Sequence, residues 1–229
     1  MLKKILKRTL KRTPLLIVIA IVIVAVFGCH SAPVALSSHQ SAHGFKLYGN
    51  FTKSQQETLD ELVSILPTTM INAITFIAKV DFDEHFDAGE GGHCWPIGRI
   101  CIRGYFITDA GTLWHEIGHA YCFHIGLKGL VLGLKWEETA GEVYKGSEDW
   151  TNYYPRDGLL TGYGRIAWYE DMAEFVSEFY KNITNRESAF DSFNEKTWED
   201  GRYKAKMDLL LKYGFITEAD YQKFWSTRK

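Results

Sequence analysis

No Cys-x-x-Cys pair occurs among the four cysteines, which excludes a four-cysteine zinc ribbon. Internal repeats and low-complexity tracts are missing too, so neither a solenoid nor a disordered chain is expected. The first 29 residues contain no acidic residue at all, although they hold six of the chain's 26 basic ones. Without them the remainder carries a net charge of about −8, which argues against nucleic acid as a partner. The other 200 residues have an ordinary globular composition and suffice for one domain with a substantial core.

The basic N-terminus MLKKILKRTLKRTP runs into LLIVIAIVIVAVF, which has no polar residue from Leu15 to Phe27. That stretch is short for a bilayer span and suits the core of a signal peptide. Gly28-Cys29, with Val26 three positions before the cysteine, resembles the lipobox of bacterial lipoproteins, where Cys29 would be lipidated; Phe27 departs from that pattern. An uncleaved membrane anchor and ordinary secretion are the alternatives. All three place the following domain outside the cytoplasm, and the first two hold it at the cell envelope.

Residues 1–29 therefore read as signal peptide or anchor, 30–50 as a flexible tether, and 51–229 as the folded domain. His30, His39 and His43 fall in the tether and read as linker. Cys94 and Cys101 flank WPIGRI, whose Pro and Gly suggest a turn, so a local hairpin disulfide is one expectation. Cys122 reads as a buried thiol.

Leu59, Leu62, Val63 and Leu66 recur at helical spacing, with Thr52 and Gln55 placed as a capping box and Pro67 as the stop. INAITFIAKVDF and RICIRGYFIT read as strands, separated by a polar, Gly-rich loop in which His85 and His93 read as loop residues. Asp109 or Thr112 would cap a helix running towards Gly126, after which Gly129 and Gly133 loosen the chain. A helix from about Ile166 presents Ala167, Met172, Phe175, Val176 and Phe179 on one face, and two further helices close the chain, the last opening with Thr217 and Asp220. The fold class is α+β.

The chemistry lies in GTLWHEIGHAYCFHIG. On a helix His115 and His119 stand one turn apart, as two imidazoles must to hold one ion at about 2.0–2.1 Å each. Glu116 is placed to reach a water on that ion and act as general base. A third ligand is required, and two downstream pairs at helical spacing offer one: Glu170 with Glu174, and Glu138 with Glu142. The former pair is favoured, one carboxylate binding metal while the other orients an imidazole. His124 would lie on another face, and Asp171 would face solvent or cap a neighbour.

The pairing of HEIGH with YEDMAE resembles the Glu-zincins, and within them the catalytic domain of anthrax lethal factor and related bacterial zinc peptidases. That resemblance covers about residues 70–182. It implies a zincin-like single domain, with a small mixed sheet packed on the metal-binding helix and helices beyond it. It further implies Zn²⁺ on His115, His119 and Glu170, with Glu174 supporting the site and Tyr163 stabilising the developing oxyanion. The expected activity is hydrolysis of a peptide bond in a peptide or protein substrate. The strand RICIRGYF would offer an edge to an extended peptide, as in other zincins. A zinc-retaining binding protein that cleaves nothing, and a zinc hydrolase of peptidoglycan, are the alternatives. Nitrogen and oxygen ligands by themselves select poorly among transition metals.

Overall fold

The computed structural model describes residues 38–80, 91–146, 157–226 and 228. Residues 1–29, including Cys29, together with His30 and His85, lie outside the described residues. The elements in order are β1 (Ser38–Gln40), β2 (Lys46–Tyr48), α1 (Lys53–Ser64), α2 (Thr68–Ile71), β3 (Phe76–Val80), β4 (Gly92–Trp95) and β5 (Arg99–Arg103). They continue with α3 (Ala110–His124), α4 (Leu127–Ala140), α5 (Trp168–Ile183), α6 (Glu195–Trp198), α7 (Gly201–Tyr213) and α8 (Glu218–Ser226). Short 3₁₀ turns lie at Gly104–Phe106, Tyr163–Arg165 and Ala189–Ser192. The result is α+β, with one small mixed sheet.

The strand order is β1-β2-β3-β5-β4; β2, β3 and β5 run parallel, and β1 and β4 run antiparallel to their neighbours. Two expectations change here. The stretch 30–50, read as a tether, supplies β1 and β2 from Ser38 onwards, and Leu47 is buried in the core. His43 is likewise fixed, its Nε2 lying 2.9 Å from the carbonyl of Asp60. Polar composition hid these strands because β1 is exposed and pairs through its backbone alone.

The second change concerns the edge. RICIRGYF is an interior strand, β5, flanked by β3 and β4, so the edge beside α3 belongs to β4.

Strand alternation sorts the sheet into two faces. Leu47, Ile77, Ile100 and Ile102 point into the main core, while Ala78 and Cys101 form a small cluster on the other face with Phe76, Val80 and Trp95. Cys94 pairs with Ile100, and His93 pairs with Cys101, so Cys94 and Cys101 stand on opposite faces. They form no disulfide, and burial pushes the Cys94 thiol well up. His93 points to the outer face, edge-on to Trp95.

On the core side, α1 presents Leu59, Leu62 and Val63, and its Thr52–Gln55 capping box forms as expected. Trp114 of α3 is buried and donates its indole N–H to the carbonyl of Leu62, tying the site helix to α1. Met172, Phe175, Val176 and Phe179 are fully buried along α5, each worth about 1.5–3 kcal/mol of transfer from water. Gly129 and Gly133, expected to loosen the chain, instead lie within the helix α4, where their lack of a side chain permits close packing.

Candidate metal centre

Helices α3 and α5 build the site by packing on each other. Asp109 caps α3, its carboxylate accepting the Thr112 N–H at 2.7 Å. The crossing is close because Gly118, inside His-Glu-Ile-Gly-His, faces Ala173 and Val176: a Cβ added there would lie 3.4–3.5 Å from them. Near the start of α3, the Ser177 hydroxyl donates to the Gly111 carbonyl at 3.0 Å and pins the two helices together. The file of imidazoles on α3 is thereby brought against the file of carboxylates on α5.

Three atoms converge there. His115 Nε2 lies 3.0 Å from Glu170 Oε2 and 3.0 Å from His119 Nε2, and His119 Nε2 lies 3.2 Å from Glu170 Oε2. Behind this triangle, His115 Nδ1 is 2.9 Å from Glu174 Oε1. When the Nδ1 proton is given to Glu174, Nε2 is left as a lone pair, and it faces a carboxylate oxygen and a second imidazole nitrogen. With that tautomer, three acceptor atoms turn on one point and could share a cation.

Tetrahedral bonding at about 2.0–2.1 Å sets neighbouring ligand atoms about 3.3–3.4 Å apart, close to the observed edges. The donor set of two imidazoles and a carboxylate therefore fits a divalent transition-metal ion, and these three residues are the group that could hold one among the described residues. The charges agree with this geometry. Burial would push both carboxyls up, but the hydrogen bonds from His115 and His119 hold Glu170 well below the usual carboxylate range, and the His115 contact with help from Thr161 and Lys181 lowers Glu174. Burial would lower His115, yet Glu170 and Glu174 together raise it well above the ordinary imidazole value.

Glu116 is buried beneath the edge strand, where Gly92 leaves room for it: a Cβ at Gly92 would sit 3.1 Å from Glu116 Cγ. Tyr163, half-buried in its 3₁₀ turn, has its ring 5.7 Å from that of His115. Tyr169 borders the triad on the other side, 6.1 Å from the His119 ring. The expected residues His115, Glu116, His119, Tyr163, Glu170 and Glu174 thus meet in one place. Glu138, Glu142 and His124 are exposed and belong to no such cluster among the described residues.

Asp171 corrects the expectation of a solvent-facing side chain. It is fully buried, and its Oδ2 accepts from Trp136 Nε1 at 2.7 Å, the Tyr144 hydroxyl at 2.8 Å and Lys206 Nζ at 2.6 Å. Lys206, itself fully buried, also donates to the Gly158 carbonyl at 2.6 Å. This knot joins α4, α7 and the loop leading to Tyr163 to the residue next to Glu170. A signal was present in the sequence: Lys206 interrupts the apolar stripe of Tyr203, Met207 and Leu210, where a lysine is tolerated only with a partner. Thr161, which bonds Glu174 and accepts the Gly164 N–H at 3.2 Å, carried no such mark.

No family model, no curated protein and no solved structure matches this chain.

Proposed function

We propose that the protein is a zinc-dependent peptide-bond hydrolase of zincin type, held at the cell envelope by its N-terminal segment. The observation that carries this reading is the triangle of His115 Nε2, His119 Nε2 and Glu170 Oε2, with edges of 3.0–3.2 Å and a buried carboxylate, Glu116, beside it on the same helix. A merely structural metal would have no use for Glu116 or for Tyr163.

Bound at the triad, zinc supplies a Lewis acid that acidifies water and polarises a carbonyl. Glu116 takes the proton of the attacking water as the new C–O bond forms, and passes it to the amine nitrogen as the C–N bond then breaks. The Tyr163 hydroxyl donates to the oxygen on which charge develops, a contribution of about 3 kcal/mol for donors of this kind. Glu174 holds the His115 ring in one tautomer and orientation throughout. An extended substrate would add to β4, the edge strand beside α3, directly over Glu116.

Metal analysis and cleavage of a mixed peptide library test the reading together. The full chain should hold about one zinc ion and cleave, Glu170→Ala should lose the ion, and Glu138→Ala should retain it. Glu116→Gln should keep the ion and lose cleavage. Zinc bound without cleavage of any peptide, in a chain whose Glu116→Gln variant behaves identically, overturns the hydrolase.

A further inference from the structure

Helix α4 inverts the usual amphipathic arrangement. Its glycines face the protein: a Cβ would lie 2.4 Å from the Cys122 carbonyl at Gly129, and 2.7 Å from the Trp168 ring at Gly133. Leu132, Trp136 and Ala140 fill the same inward side. Opposite them Leu127, Leu130, Val131 and Leu134 point outwards, joined at the α3–α4 corner by Phe123, and these five side chains are 45–81% exposed. Single exposed apolar residues are ordinary, but a contiguous group of five marks a surface that something covers.

Two observations say what covers it. The first is charge: Lys128 and Lys135 lie along one side of the apolar stripe, and no acidic residue interrupts it from Gly118 to Trp136, the exposed Glu137 and Glu138 closing its C-terminal end. The second is the length of chain in front of the domain. The apolar run ends at Phe27, ten residues before β1 begins at Ser38. Ten residues reach at most about 35 Å, less than the roughly 40 Å width of a domain this size.

We infer that the α3–α4 corner docks on the lipid bilayer to which the N-terminal segment holds the chain, through residues 15–27 or a lipidated Cys29, with Phe123, Leu127, Leu130, Val131 and Leu134 at the boundary of headgroups and acyl chains and the two lysines on anionic headgroups. The inference rests on the proposed anchoring of that segment. Docking here is distinct from crossing: no described helix is long and apolar enough to span a membrane, α3 and α4 meet at a bend of 117°, and α3 is walled into the core.

The consequence is a substrate class. His119 precedes Phe123 by one turn, a rise of about 6 Å along α3. The metal centre would therefore open beside the lipid surface and meet polypeptide segments that emerge from the same bilayer.

The test is hydroxyl-radical labelling of the full chain reconstituted in vesicles of phosphatidylethanolamine with a minor share of phosphatidylglycerol. Flotation with the vesicles is scored in parallel, and each labelling rate is normalised to the urea-unfolded chain. Ile97 and Tyr105, 64% and 67% exposed on the hairpin side, are internal controls. The expected result is several-fold protection of Phe123, Leu127 and Leu130 while Ile97 and Tyr105 label freely. Leu130→Glu combined with Leu134→Glu should leave flotation intact and expose Phe123 and Leu127 to label.

A chain that floats but labels at the corner as freely as at Ile97 refutes docking and leaves the anchor standing. A chain that does not float refutes the anchor and docking with it. Protection that grows with the number of chains per vesicle identifies a second copy as the occupant and overturns the proposal.

Discussion

His115 Nδ1 and Glu174 Oε1 lie 2.9 Å apart across two helices, although the residues are 59 positions apart in the sequence. This contact decides which imidazole nitrogen is left for a metal, because the proton held towards Glu174 leaves Nε2 bare.

Glu174→Gln should therefore fold normally and bind zinc about 10–100-fold more weakly, the usual cost of losing such a carboxylate partner. Competition against a chelator of known affinity measures it. Unchanged affinity would show that the ring is oriented by packing alone.

Gly92→Ala tests the room above Glu116. The added methyl meets Glu116 Cγ and the Cys101 carbonyl at 3.1 Å and Thr112 Cγ2 at 3.3 Å, so the carboxylate must yield by a few tenths of an ångström. Zinc stoichiometry should hold while kcat falls about tenfold, as expected when a reacting group is slightly misplaced. Parallel metal analysis and single-turnover kinetics separate the two.

Lys206→Met removes one half of a fully buried pair and strands the Asp171 carboxylate. Urea unfolding should show a loss of about 3–5 kcal/mol, and adding Asp171→Asn should recover part of it, since the cost lies in the uncompensated charge.

Removing the metal should reverse the response to pH. In the metal-free chain His115 is raised above its usual 6.5, so its contribution is fully present below 6.5 and is lost as pH climbs through the folded value. Glu170 and Glu174 are lowered from 4.5, so theirs is present above 4.5 and is lost as pH falls through their folded values. Metal-free stability should thus be greatest between these limits and decline towards alkaline pH. Zinc needs the imidazoles unprotonated, so zinc-loaded stability should rise over the same range, and binding near neutrality should release a proton. Melting curves with and without chelator, and calorimetry in buffers of different ionisation enthalpy, read both effects.

Much of the site was legible along the chain. The imidazoles at 115 and 119 and the carboxylates at 170 and 174 each repeat at one helical turn, and the caps at Thr52 and Asp109 announce where their helices begin. These are local relationships, set by backbone geometry within a few residues, so sequence spacing expresses them directly.

What spacing does not express is which faces meet. Asp171 stands beside Glu170 in the sequence, but only the arrival of Lys206, Trp136 and Tyr144 from three other segments makes a buried hub of it. Cys94 and Cys101 are close in the chain, yet the pairing register of β4 and β5 puts them on opposite faces of the sheet. The glycines of α4 read as helix breakers until Cys122 and Trp168 come near enough to require them. By itself the sequence determined helices α1, α3, α5, α7 and α8, the caps of α1 and α3, and the files of imidazoles and carboxylates. The tertiary structure decided the partners, because burial, register and close approach are properties of surfaces brought together from distant parts of the chain.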